Sequence, residues 1–109
     1  MDNKQPNQIN FTYNDKPYCL EYTRETVKQM EASGFKIGDI GDMPATRIEQ
    51  LWAGAFLAHE RMVSNTVIEK MYKEMKNKEK LLQKLTEMYN ATLSYLMDDE
   101  GNVEWTATL

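Results

Sequence analysis

Cysteine, histidine and proline are the scarce residues of this 109-residue chain, present once, once and three times. With Cys19 alone, no disulfide framework can hold the fold, and its place in an alternating segment makes a half-buried thiol the ordinary reading. A reducing cytoplasm is therefore the expected site of synthesis. His59 is the lone imidazole, and nucleophilic catalysis would need it beside Cys19 or a serine with a third group orienting the ring; no local set supplies one. One Cys and one His cannot close a zinc site of the usual kind without carboxylates. Gly34, Gly38 and Gly41 match neither a Walker nor a dinucleotide-binding spacing, and Asp39 and Asp42 lack the spacing and terminal Glu of an EF-hand loop. No run approaches the roughly 20 apolar residues of a membrane span, and the polar start Met1–Gln8 lacks the apolar core of a signal peptide. Basic charge is short as well: 13 Lys and Arg against 17 Asp and Glu leave a formal charge of -4. Lys76 to Lys80 is the only basic concentration, too little for the counterion release that drives nonspecific nucleic-acid binding. The acidic run Asp98, Asp99 and Glu100 beside Gly101 reads as a solvated helix end that opposes the helix dipole, not as a catalytic carboxylate pair. Neither an enzyme, a cofactor, a metal, a nucleic acid nor a membrane is expected.

Hydrophobic residues make up 41% of the chain and charged residues 28%, which is the composition of one globular domain. Residues 1–8 carry no apolar group able to offset the entropy of ordering them and read as a disordered lead. From Ile9 the pattern changes. Ile9, Phe11 and Tyr13 alternate with polar residues, Asn14-Asp15-Lys16-Pro17 supplies turn chemistry, and Tyr18, Leu20 and Tyr22 alternate again, so a hairpin with one apolar face is expected. An isolated hairpin is marginal in water, and that face must dock on helices or on another copy. Thr23 caps a short helix that buries Val27 and Met30 and ends near Ser33, with Gly34 left-handed and Phe35 folding back. Lys36 to Asp42 is a loop pinned by Ile37 and Ile40.

Thr46 and Glu49 fit a capping box, after which Ile48, Trp52, Ala55, His59 and Met62 recur at helical steps along one face. On that face a histidine at the edge of the core, satisfied by one hydrogen bond, is the expected state of His59. Beyond Pro44 no proline occurs. Ser64 or Asn65 can cap a third helix burying Val67, Ile68, Met71, Tyr72 and Met75; Asn77 can cap a fourth burying Leu81, Leu82, Leu85, Met88, Tyr89, Leu93 and Leu96. Ile68, Met75, Leu82, Tyr89 and Leu96 also keep a seven-residue spacing, so residues 64–97 admit one continuous helix with a self-associating seam. Such a helix would reach roughly 50 Å at 1.5 Å per residue, against a radius of gyration of about 13 Å for a compact domain of this size; a break near Asn77 is the favoured reading. Residues 98–109 form a tail or a short strand in which Val103, Trp105 and Ala107 alternate. The expected architecture is α+β and mainly α, a hairpin followed by about four helices in a small bundle over residues 9–97.

Eight methionines are many for this length, and their unbranched thioethers suit adaptable binding surfaces as well as cores. Met71, Met75 and Met88 are thus partner-binding candidates that compete with a plain core role. Trp105 is a fourth, because a short tail offers little chain to bury it and aromatic anchors are enriched at interfaces.

The order of these features, Ile9 to Lys16, Tyr18 to Tyr22, Thr23 to Phe35, and the approach from Asp39 to Leu51-Trp52-Ala53-Gly54-Ala55-Phe56-Leu57-Ala58-His59, resembles the small tail assembly chaperones of long-tailed (siphovirus-type) phages and prophages of Gram-positive bacteria. The resemblance spans most of residues 9–105. It implies a non-enzymatic protein of the bacterial host cytoplasm that binds the tape-measure protein, keeps its apolar helices soluble, helps tail-tube subunits assemble around it, and stays out of the finished virion. In many such proteins a ribosomal frameshift adds a domain that engages the tube protein. The rival expectation is a small homo-oligomeric helical adaptor or regulator that pairs through residues 64–97.

Overall fold

The turn between the two strands is the tightest the chemistry allows. Asn14 and Asp15 both adopt positive φ, 52° and 66°, the geometry of a two-residue turn whose twist matches the strands, tolerated by short Asx side chains. It joins β1 (Gln8–Tyr13) to β2 (Lys16–Glu21) in an antiparallel pair with Ile9 opposite Leu20 and Phe11 opposite Tyr18. Lys16 and Pro17 therefore belong to β2 and not to the turn. The computed structural model describes residues 7–97 and 101–108, so most of the expected lead, residues 1–6, and the acidic run Asp98 to Glu100 lie outside the described residues. Four α-helices follow the hairpin: α1 (Arg24–Ala32), α2 (Pro44–Gly54), α3 (Asn65–Glu74) and α4 (Lys78–Leu93). The fold is a hairpin followed by helices, mainly α, as the pattern predicts. None of the described helices is long and apolar enough to cross a membrane.

Helix α1 is bounded at both ends by its own sequence. The Thr23 hydroxyl accepts the Thr26 amide at 3.2 Å and the Thr26 hydroxyl accepts the Thr23 amide at 2.9 Å, a reciprocal capping box with Thr in the place usually held by Glu or Gln. At the other end Gly34 has φ +100°, its amide donates to Glu31, and the Phe35 amide donates to Met30 at 3.0 Å. These are the paired bonds of a Schellman motif. They turn Phe35 into the core, where its ring meets Tyr89 of α4 edge-on at 5.3 Å.

Helix α2 departs from expectation at both ends. No capping box forms at Thr46 and Glu49, because the helix starts three residues earlier, with Met43 at the cap and Pro44, whose fixed φ and missing amide proton suit the first helical position, as its first residue; Met43 makes no side-chain bond. The helix also stops at Gly54. The amides of Ala55, Phe56 and Leu57 turn back to carbonyls three residues earlier, a tightening that ends the α-helical ladder. Trp52 and Ala55 are buried as expected and Ile48 is half-buried, whereas His59 falls in an exposed turn and Met62 is 97% exposed.

Helices α3 and α4 are separate, which removes the continuous seam over residues 64–97. Ser64 caps α3 by accepting the Val67 amide at 3.3 Å. The break falls at Asn77, which is left-handed with φ +56° and makes no side-chain cap bond. A seam would also need the companion row Met71, Lys78, Leu85 and Thr92, which fails at Lys78 and Thr92, and Lys78 supplies the physical reason for the break: its ammonium donates to the carbonyls of Lys73 at 3.1 Å and Met75 at 2.9 Å, closing the end of α3. Val67 and Leu96, both expected to be buried, are exposed. Leu96 lies in the 3₁₀ turn Ser94–Met97 that continues α4, so it has left the α-helical face.

The core gathers Leu20, Tyr22, Leu51, Trp52, Phe56, Met71, Leu85, Met88 and Tyr89. Trp52 stands between the hairpin and the helices, stacked on Phe11 at 6.3 Å, edge-on to Phe56 at 5.1 Å and tilted against Tyr72 at 5.5 Å. Its indole N–H donates to the Ile68 carbonyl at 2.8 Å.

Chemical denaturation should show Trp52→Ala losing roughly 3 to 5 kcal/mol, the cost of emptying a large buried aromatic site. Thr23→Ala should lose about 1 kcal/mol with its cap, whereas Thr46→Ala should leave stability within about 0.5 kcal/mol. A larger loss at Thr46 than at Thr23 would contradict the helix start at Pro44.

Candidate interaction surface

The early end of α2 leaves the carbonyl of Leu51 without its amide four residues on, and the buried hydroxyl of Tyr22 donates to it. One residue back, the Glu21 amide donates to the Ala55 carbonyl at 3.1 Å, and the Cys19 amide donates to the Glu60 carboxylate at 3.0 Å. The chain after α2 thus runs along the outer edge of β2 and satisfies amides that would otherwise face solvent. His59 Nε2 pairs with the Glu21 carboxylate, which also accepts from Gln8 Nε2 at 3.1 Å. His59 is thus an edge histidine with a single partner, on a turn instead of a helix.

Burial raises the Cys19 thiol, and the carboxylates of Glu21 and Glu60 raise it further. A nucleophilic cysteine needs the opposite environment. Asp39, one of the two loop aspartates, accepts from Arg47 at 3.4 Å, and the same guanidinium donates to the Gly34 carbonyl at 2.9 Å and to Gln50 at 2.8 Å. It fastens the end of α1 and the following loop to α2. Among the described residues no group of three or more His, Cys, Asp or Glu is placed to hold a metal ion.

What the fold builds instead is a cleft. Gly54 lets α1 come close to the end of α2: a Cβ there would lie 2.5 Å from the Met30 sulfur and methyl. Beside this crossing opens a cleft of about 340 Å³ with Met30, Phe56, Leu57, Val63 and Ile68 among its walls. Arg61 donates to Gln29 at 3.3 Å on its rim. A second cleft of about 300 Å³ has Trp52, Ile68 and Tyr72 among its walls and is edged by Glu49, Glu69 and Lys73. Gln50, Ala53, Asn65 and Ile68 line both, so the two adjoin along the seam of α2 and α3. The arrangement, apolar walls with a polar rim, is that of a groove that accepts an apolar ridge.

The four partner candidates do not come together. Met71 and Met88 are fully buried in the core and Met75 is half-buried against it, so their helical spacing served packing. Trp105 stands 80% exposed on the segment 101–108, which forms no strand, and Val103 is 85% exposed near it. The methionine that does line the groove is Met30, on α1. Its partner Gly54, a glycine within a helical pattern, was the one sequence signal of close backbone approach.

Residues 3–109 match a family model described as a domain of unknown function (DUF5055). No curated protein and no solved structure matches the chain.

Burial pushes the Tyr22 phenol well above its ordinary value, with Tyr89 adding to the effect, and burial likewise raises Tyr89 and Tyr72. The folded state therefore holds these protons more tightly than the unfolded chain. Their stabilising contribution is complete below about pH 10, where unfolded tyrosines begin to ionise, and is lost as pH rises beyond it. Urea midpoints at pH 8 and pH 11 should show a fall that is smaller in Tyr22→Phe; an equal fall in both proteins would assign alkaline sensitivity elsewhere.

Proposed function

We propose that this chain, which belongs to the DUF5055 family, is a non-catalytic tail assembly chaperone of a long-tailed phage or prophage, binding helical segments of the tape-measure protein during tail-tube assembly. The observation that carries the reading is the pair of adjoining clefts along α2 and α3, with apolar walls and a polar rim. A tape-measure helix is a long amphipathic rod whose apolar face would aggregate if bare, and helix-in-groove packing is the physical means of covering such a face. The likeness of residues 9–105 to the phage chaperones supplies the identity of the client. Several copies along one client would gain from effective concentration, so modest affinity per groove is enough. Apolar contacts also suit an acidic protein that lacks a basic field for binding phosphate.

Co-expression tests this directly. The tape-measure protein encoded beside this chain should become more soluble when both are made together and should elute with it in size-exclusion chromatography. Because Ala53 lines both clefts at half exposure, Ala53→Glu should weaken the complex at least tenfold while the free protein keeps its circular dichroism spectrum. Salt should weaken the complex less than it weakens a phosphate-dominated one. A client that stays insoluble, with no complex surviving chromatography, would overturn the reading.

A further inference from the structure

The two edges of the hairpin are treated differently. On β2 the outward amides of Cys19 and Glu21 are taken by Glu60 and Ala55. The pairing register fixes the other edge: Gln8, Asn10 and Thr12 lie opposite Glu21, Cys19 and Pro17, so their backbone groups also point away from the ladder. Pro17, which has no amide to donate, sits at one of these outward positions, as the alternation requires. Asn10 and Thr12 have no backbone partner among the described residues. Among the described residues the β1 edge is therefore open, and the inward side chains beside it, Ile9, Phe11 and Tyr13, are only half-buried against the core.

The chain also carries a strand-like segment with nothing to pair with. In residues 102–108 the apolar Val103, Trp105 and Ala107 alternate with Asn102, Glu104, Thr106 and Thr108, the period that puts one set on each face of a strand. The segment belongs to no helix or strand, and Val103 and Trp105 are the two large side chains it leaves in solvent. It is long enough to span the six residues of β1. Laid against β1 with Trp105 on the side of Phe11, it would satisfy the outward amides of Asn10 and Thr12, extend the inner apolar face, and keep its polar residues outside with those of β1. Both halves of this contact exist in every copy, and in the single chain they are apart.

We infer that residues 102–108 add as a third strand to the β1 edge of a second copy, so that the protein self-associates by strand addition through Trp105. The inference stands on the hairpin and the tail alone and does not depend on the identity of the client.

Sedimentation and tryptophan emission across a concentration series of the full chain test it. Mass should at least double as concentration rises, and a component of the emission should move to shorter wavelength in step, Trp52 being buried throughout. Trp105→Ala should remain monomeric. Asn10→Pro, which removes an outward amide and no ladder bond, should weaken association at least tenfold, and an excess of a peptide of residues 101–109 added to the full chain should dissociate it; the peptide result decides should the proline variant fail to fold. A monomer at every concentration, or association that survives Trp105→Ala, would overturn the inference. A monomer whose Trp105 is already shielded at the lowest concentration would place the tail on its own edge and overturn it equally.

Discussion

Trp52 is the joint on which the architecture depends. A two-stranded hairpin cannot hold itself together in water, and here its inner face finds its support on one indole: Phe11 stacks on Trp52, whose N–H is anchored on the Ile68 carbonyl of α3 and whose ring also meets Phe56 and Tyr72. Hairpin, α2 and α3 thus share one side chain. A second aromatic centre, Tyr89 with Tyr22 and Phe35, gathers α1 and α4. The Tyr22 hydroxyl on the Leu51 carbonyl couples the two centres through the residue preceding Trp52.

That coupling shapes the surface. The last turn of α2 tightens, freeing the carbonyl that Tyr22 takes, and the chain that follows turns out along β2 to protect one strand edge. By leaving the helical axis there, it also lets the groove open between α1, α2 and α3, floored by the flank of the aromatic core. Phe56 and Ile68 belong to both the core and the cleft, so the floor of that surface is the core itself. The other strand edge, on β1, has no backbone partner among the described residues, and no residue of β1 lines the groove.

Local signals in the sequence were legible where the physics was local. Thr23, Gly34 and Phe35 define α1 through bonds spanning a few residues, and the turn at Asn14-Asp15 and the break at Asn77 rest on single left-handed residues. Thr46 with Glu49 has the right spacing for a capping box yet forms none, since Pro44 had already started the helix. The early end of α2 was hidden because the donors that take the carbonyls it frees, the Tyr22 hydroxyl and the amide of Glu21, arrive from residues about 30 positions away. Periodicity placed Met71 and Met88 on helix faces, but it does not say which face is covered. Only their complete burial in the assembled core showed that these methionines are core and that Met30 is the one lining the groove. Lys78, which looked like a flaw in a heptad, turned out to close α3.

The central claim is that an apolar helix docks along the seam of α2 and α3. Hydrogen exchange of the protein alone and with a synthetic amphipathic helix from the tape-measure protein measures this at the level of segments. The account predicts added protection confined to the end of α2, residues 55–63 and α3, with exchange in α4 unchanged. Protection centred on α4, or no change on adding the helix, would contradict it.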